Sequence, residues 1–185
     1  MRIISGKNKG KKLIAPNNLP VRPTTDMAKE ALFNILNNHF SFDEITVADL
    51  FSGIGNISFE FASRGSNNII SVDQHPGCIQ FIQKISDELA YGIITIKSDV
   101  FTFLERTNKK FDVIFADPPY ELQKEKFELL VHRVFEKEML EAGGMLVVEH
   151  APHTDLSLEP QFLQTKKYGG TCFSFFQNKI KDLKI

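Results

Sequence analysis

From Ile45 onward the chain alternates short apolar runs with stretches of helical periodicity. The runs Thr46–Phe51, Asn68–Asp73, Ile93–Lys97, Phe111–Ala116 and Met145–Glu149 read as strands. Between them, the stretches around Ile57–Ser63, Cys78–Leu89, Val100–Arg106 and Glu125–Leu140 read as helices. Strands joined by crossover helices imply a mostly parallel sheet with helices on both faces, a doubly wound α/β fold. The rhythm breaks at the end. Gln164–Tyr168 and Thr171–Gln177 are separated only by Gly169-Gly170, a spacing that makes a hairpin. A seven-stranded sheet ending in an antiparallel pair is the expected architecture.

The first forty residues follow another pattern. Arg2-Ile3-Ile4 and Lys12-Leu13-Ile14 predict two short strands around a Gly6–Gly10 turn, and Pro16, Pro20 and Pro23 punctuate a loop. Ala28, Ala31, Leu32, Ile35 and Leu36 then fall on one helical face, with Asp26 where a helix N-terminus favours an anion. Residues 1–40 are therefore expected to form a hairpin-and-helix extension on a main domain over 41–185. Net charge is only −1, yet six basic residues and no acid precede Asp26. Such an arm on a near-neutral body is expected to meet phosphates. Cys78 and Cys172 form no metal-ligand or disulfide pattern, and the N-terminus carries no apolar leader. A cytoplasmic chain with no metal and no membrane partner is expected.

The first core strand runs into Asp49-Leu50-Phe51-Ser52-Gly53-Ile54-Gly55. Glycines at the carboxyl end of a first strand let the backbone pass close beneath a ligand. The second strand ends in Asp73, placed to accept hydrogen bonds from a ribose diol, and the third in Ser98-Asp99, placed to meet an adenine amine. Dinucleotide and S-adenosylmethionine sites share this outline. A dinucleotide fingerprint wants a third glycine, where this chain has Ser58, and the acid Asp49 would repel a pyrophosphate but suits an ammonium or sulfonium. One acid at a strand end commonly caps a helix. Asp49, Asp73 and Asp99, with Asp117 after the fourth strand, point instead to a single crevice.

That fourth strand ends in Asp117-Pro118-Pro119-Tyr120. Proline has no N–H and fixes φ, and the residue before it is held extended. The result is a stiff rim with a carboxylate, carbonyl oxygens and a flat ring, suited to holding an aromatic amine.

On these residues the chain resembles class I S-adenosylmethionine-dependent methyltransferases that act on amines, and more narrowly the bacterial RsmD family. The resemblance covers nearly the whole chain. It rests on Arg2-Ile3-Ile4-Ser5-Gly6, Lys11-Lys12-Leu13, Arg22-Pro23-Thr24-Thr25-Asp26 and Lys29-Glu30-Ala31-Leu32-Phe33-Asn34. Further along it rests on the glycine loop, Ser63-Arg64-Gly65, Asp117-Pro118-Pro119-Tyr120 and Tyr168-Gly169-Gly170-Thr171. Two places depart from the family: Asp73-Gln74-His75, where Glu and Lys-Asp are usual, and the larger Asn56-Ile57-Ser58.

The resemblance implies methylation of a guanine N2 amine in 16S ribosomal RNA, with a small-subunit particle as partner and a monomer sufficient. It implies S-adenosylmethionine held by Asp49, Phe51, Gly53, Gly55, Asp73 and Asp99, and chemistry at Asp117, Pro118 and Tyr120. RNA would meet Arg2, Lys11, Lys12, Arg22 and Thr24. Competing readings are a DNA adenine-N6 methyltransferase, a non-enzymatic ribosome-assembly factor and a nicotinamide-dependent oxidoreductase. The first would need a target-recognition domain that 185 residues scarcely accommodate.

Overall fold

A computed structural model describes residues 1–16, 18–19, 24–119 and 121–178. Its elements are α1 (Asp26–Asn37), β1 (Thr46–Leu50), α2 (Asn56–Ser63), β2 (Asn68–Asp73), α3 (Pro76–Leu89) and β3 (Ile93–Lys97). They continue with α4 (Val100–Arg106), β4 (Phe111–Ala116), α5 (Lys124–Glu136), β5 (Leu140–His150), β6 (Phe162–Tyr168) and β7 (Thr171–Gln177). Among the described residues the seven strands form one sheet, ordered β3-β2-β1-β4-β5-β7-β6. Strands β1 to β5 run parallel, and β7 runs antiparallel to both β5 and β6.

Parallel strands covered on both faces must be apolar on both, and β4 shows how. Val113 and Phe115 pack into one core with Leu32, Phe33, Phe59, Phe61 and Ile82. Ile114 and Ala116 pack into the other with Leu104, Leu130 and Val131. The chain winds outward from β1 to β3 and then crosses back to β4, so β1 and β4 are neighbours across the point where winding reverses. A crevice opens at the carboxyl ends of strands at such a point.

Residues before β1 share the first of these cores, through Ile3, Leu13, Ala28, Leu32, Phe33 and Leu36. The two strands expected there shrink to a single bridge, Arg2 to Lys12. The reason lies in where the backbone donors go. Ile4 N and Ser5 N donate to the Glu60 carboxylate, Lys7 N to Ser63 O and Asn8 N to Ser63 Oγ. Those donors dock the arm on α2 and are lost to a strand ladder. The docking needs Gly6, whose φ is +78° and whose added Cβ would fall 1.9 Å from Ser63 O. Gly6→Ala is therefore expected to cost about 2–4 kcal/mol from backbone strain and overpacking together. Urea unfolding measures this, and a loss below about 0.5 kcal/mol would contradict the docking.

Several boundaries differ from expectation: α3 starts at Pro76, β6 at Phe162, and three others have a local cause. β1 stops at Leu50 because Phe51 turns to φ +58°. Helix α5 stops at Glu136, not Leu140, because Glu138 takes φ +49°. The Lys137 ammonium meanwhile donates to Leu104 O and Thr107 O around the end of α4. β5 thus starts at Leu140, passing Phe111 with a register shift where Gly143 has φ +78°.

Candidate active site

The glycine loop is shaped by acids from beneath. Gly55 occupies the N-cap of α2 at φ +78° and has no side chain to cap it. Asp49 of β1 does so from below: its Oδ2 accepts from Ser58 N at 3.0 Å and from Ser58 Oγ. Ser58 Oγ also lies 2.6 Å from Ser71 Oγ on β2. Ser58, the residue standing where a dinucleotide site would have glycine, thus ties α2 to two strands. Asp49 is 1% exposed, and burial raises its carboxyl from 3.8 to about 7. A Cβ on Gly55 would lie 2.8 Å from Ile82 Cγ1, which fixes how closely α2 packs on α3.

Asp73 closes the loop from the side. Its Oδ2 accepts from Gly53 N and its Oδ1 from His75 N, both at 2.8 Å. Each oxygen retains a second lone pair. His75, at one of the departures from the family pattern, caps α3 through Nδ1 with Pro76 in the first turn. Asp99 caps α4, its Oδ1 accepting from Thr102 N at 2.9 Å. The idea that acids in this register would not serve as caps is therefore corrected: Asp49 and Asp99 are both caps, and both also face the crevice.

That crevice is a cavity of about 980 Å³ at the carboxyl ends of β1 to β4. Asp49, Asp73, Asp99, Asp117 and Glu121 all line it, and no lysine or arginine does among the described residues. Five acidic side chains lining one cavity suit a positively charged guest and disfavour a pyrophosphate. Phe51 lines it as well, its ring edge-to-face with Phe101 at 6.5 Å. Phe101 was not foreseen from the sequence, although it stands two residues past Asp99. Neither was Ser52, whose Oγ is buried in the wall with no hydrogen-bond partner among the described residues.

Asp117, Pro118 and Pro119 line the cavity from the end of β4. Asp117 N donates to Leu50 O at 3.3 Å, which holds the rim against β1. Of the two proline carbonyls, that of Pro119 accepts from Leu122 N at 2.9 Å. Tyr120 and Arg22 lie outside the described residues. Arg2, Lys11 and Lys12 are exposed on the arm, with Arg2 paired to Asp26 at 2.8 Å.

Thr24 belongs to the cavity wall and joins its two halves. Its Oγ1 donates to Glu149 at 2.9 Å, and its carbonyl accepts from Asn56 Nδ2 at 3.1 Å. Ala116 pairs with Val148, so Asp117 and Glu149 follow side by side at the ends of β4 and β5. Thr171 Oγ1 holds the other Glu149 oxygen at 2.9 Å. Asn56 in turn accepts from Lys29 Nζ at 2.9 Å, and Lys29 meets Glu60 at 3.2 Å with both side chains buried. Lys29 has a lowered pKa because burial outweighs the attraction of Glu60. A signal for it existed: Lys29 falls at the spacing of Leu32, Phe33 and Leu36, on the apolar stripe itself.

Sheet order, glycine loop and acidic cavity together define a Rossmann-like methyltransferase. The solved structure of Escherichia coli yhhF superposes with a TM-score of 0.83 at 25% identity, covering 98% of this chain and 99% of that one. The family model described as conserved hypothetical protein 95 matches residues 1–177. The chain is 37% identical to Bacillus subtilis YlbH, whose name proposes an rRNA methyltransferase, across 97% of this chain and 100% of that one. It is 32% identical to the ribosomal RNA small subunit methyltransferase D of Buchnera aphidicola subsp. Baizongia pistaciae, across 71% and 68%. The chain belongs to this family, which includes the ribosomal RNA small subunit methyltransferases D.

Proposed function

We propose that this protein transfers a methyl group from S-adenosylmethionine to the exocyclic N2 amine of a guanine in 16S rRNA, acting as a monomer on a small-subunit particle. The observation that carries this reading is the shared cavity. Asp117 and Pro118 line the same cavity as the glycine loop and Asp73, and family membership accords with an rRNA substrate.

The cavity fits the cofactor on its own chemistry. Ser52 Oγ is an orphan polar group in the wall, able to bind a carboxylate. Asp73 keeps lone pairs for ribose hydroxyls, Phe51 and Phe101 offer apolar faces for a purine, and Asp49 supplies negative charge for an ammonium or sulfonium. When bound, S-adenosylmethionine supplies an electrophilic methyl group. The protein's part is to position the amine and sharpen its lone pair. Guanine N2 is conjugated with its ring, so acceptors for both of its protons favour the pyramidal, nucleophilic form. Asp117 and the Pro118 carbonyl take those two roles, Asp117 making the stronger charge-assisted bond and receiving a proton as the new N–C bond forms. Tyr120 stacks on the extruded base, which offsets part of the cost of unstacking.

Asp49 gives a test of the cofactor assignment. In the folded chain its carboxyl titrates near 7, against 3.8 unfolded. A cation beside it favours the ionised form. Affinity for S-adenosylmethionine should rise between about pH 5.5 and 7.5 and then level. The same linkage lowers the unliganded chain's stability as pH rises from about 4 to 7, because the folded state holds a proton that the unfolded state has released. Calorimetric titration of Asp49→Asn should show a flat affinity profile. An unchanged slope would remove Asp49 from the cofactor site.

The substrate assignment is tested with purified protein, methyl-labelled S-adenosylmethionine and small-subunit particles from cells lacking the gene. Label should appear in N2-methylguanosine. Label confined to another nucleoside or to protein would overturn the reading.

A further inference from the structure

A second cavity, of about 720 Å³, opens beside the acidic one. Its wall is apolar at Leu13, Ile14, Leu19 and Ile54, and Ile54 lines both cavities. Its charge is the reverse of its neighbour's. Arg2 and Lys12 line it, against the single acid Asp26 among the described residues. That acid is engaged by Arg2 in an exposed pair, of the kind that contributes little and opens readily to a phosphate. Ile14, on its rim, is 88% exposed, and Met27, next to Asp26, is 63% exposed. Among the described residues only five large apolar side chains are exposed, and Ile14 is the one that lines this cavity. An apolar cavity wall that continues into an exposed side chain, beside Arg2 and Lys12, is suited to binding a ligand that is flat and anionic.

We infer that this cavity is a nucleotide subsite, taking the nucleotide adjacent to the target guanine in the same RNA strand. The inference rests on the proposed function and extends it. Pulling one base out of a stack uncovers the faces of its neighbours. The apolar wall covers one such face, while Lys12 and Arg2 receive the phosphate that links the two nucleotides. The two cavities thus divide the work by charge: the acidic one takes a cationic cofactor and an amine, and the basic one takes the polyanion that carries that amine.

The test uses the full chain with small-subunit particles from cells lacking the gene. Ile14→Asp changes an exposed side chain and leaves the core intact. It should raise KM for the particle by about tenfold, with kcat and S-adenosylhomocysteine affinity unchanged, and Ile14→Ala should lie between it and the wild type. Ile94→Asp, the same change at an exposed position on β3, should leave KM alone. A photo-crosslinking benzoylphenylalanine at position 14 should label a nucleotide adjacent to the methylated guanine. Unchanged KM in both Ile14 variants, or crosslinks confined to distant nucleotides, would overturn the subsite while N2-methylguanosine formation still stood for the function. A wild-type protein that makes no N2-methylguanosine would overturn the function, and the subsite with it.

Discussion

Asp117→Ala is expected to lower turnover by about 10²–10⁴-fold, the range for one well-placed acid–base or acceptor group, while S-adenosylmethionine binds as before. Cofactor affinity is spared because the glycine loop is shaped by Asp49 and Asp73, on β1 and β2. Asp117 meets that loop's strand through its backbone N–H, which donates to Leu50 O and survives the substitution. Asp117→Asn separates two roles for the carboxylate. An amide oxygen still accepts one hydrogen bond but takes up no proton. If acceptance is what matters, Asn retains much of the activity that Ala loses; if proton uptake matters, the two variants fall together. Single-turnover kinetics at saturating cofactor measure this. Near-normal turnover in Asp117→Ala would remove the residue from the chemistry.

The second large effect is expected far from the reacting atoms. Glu60 is fully buried in α2 and holds Lys29, Arg64 and the N–H groups of Ile4 and Ser5. Glu60→Ala leaves the Lys29 ammonium buried without its counter-charge, a change that costs about 3–5 kcal/mol. At this chain length that corresponds to a fall in Tm of roughly 6–20 °C. The partial chain Lys29–Asn56–Thr24–Glu149 then loses its anchor, so KM for RNA should rise as well. Adding Lys29→Met to Glu60→Ala should recover part of the stability, since the unpaired charge is gone while the Ile4 and Ser5 donors remain unmet. Thermal and urea unfolding of the two single variants and the double variant give the coupling. Strictly additive losses would show that Lys29 and Glu60 do not act as a pair.

What the sequence revealed and what it hid divide by range. The five parallel strands and the hairpin at Gly169-Gly170 were legible because their signals are local: short apolar runs, punctuating glycines and helical spacing. The glycine loop and the Asp117-Pro118-Pro119 rim were legible for the same reason. The arm carries the local pattern of two strands, but its donors are claimed by Glu60 and Ser63, more than fifty positions away. Asp99 reads as a ligand group from its place at a strand end, and its position before Val100 also makes it a cap. Asn56 looked like a packing variant. In the fold its amide donates to Thr24 O and accepts from Lys29 at once, a pairing no local pattern discloses. Glu149 reads as the end of a buried strand until the register sets it beside Asp117.

In the proposed reaction the rim at Asp117 presents a guanine amine to a methyl donor in the cavity that Gly53 and Asp73 also line. Nucleoside mass spectrometry of small-subunit rRNA tests it most directly, in cells lacking the gene and in cells complemented with wild type or Asp117→Ala. The expected result is one N2-methylguanosine lost on deletion, restored by the wild type and not restored by Asp117→Ala. An N2-methylguanosine inventory identical in all three would contradict it.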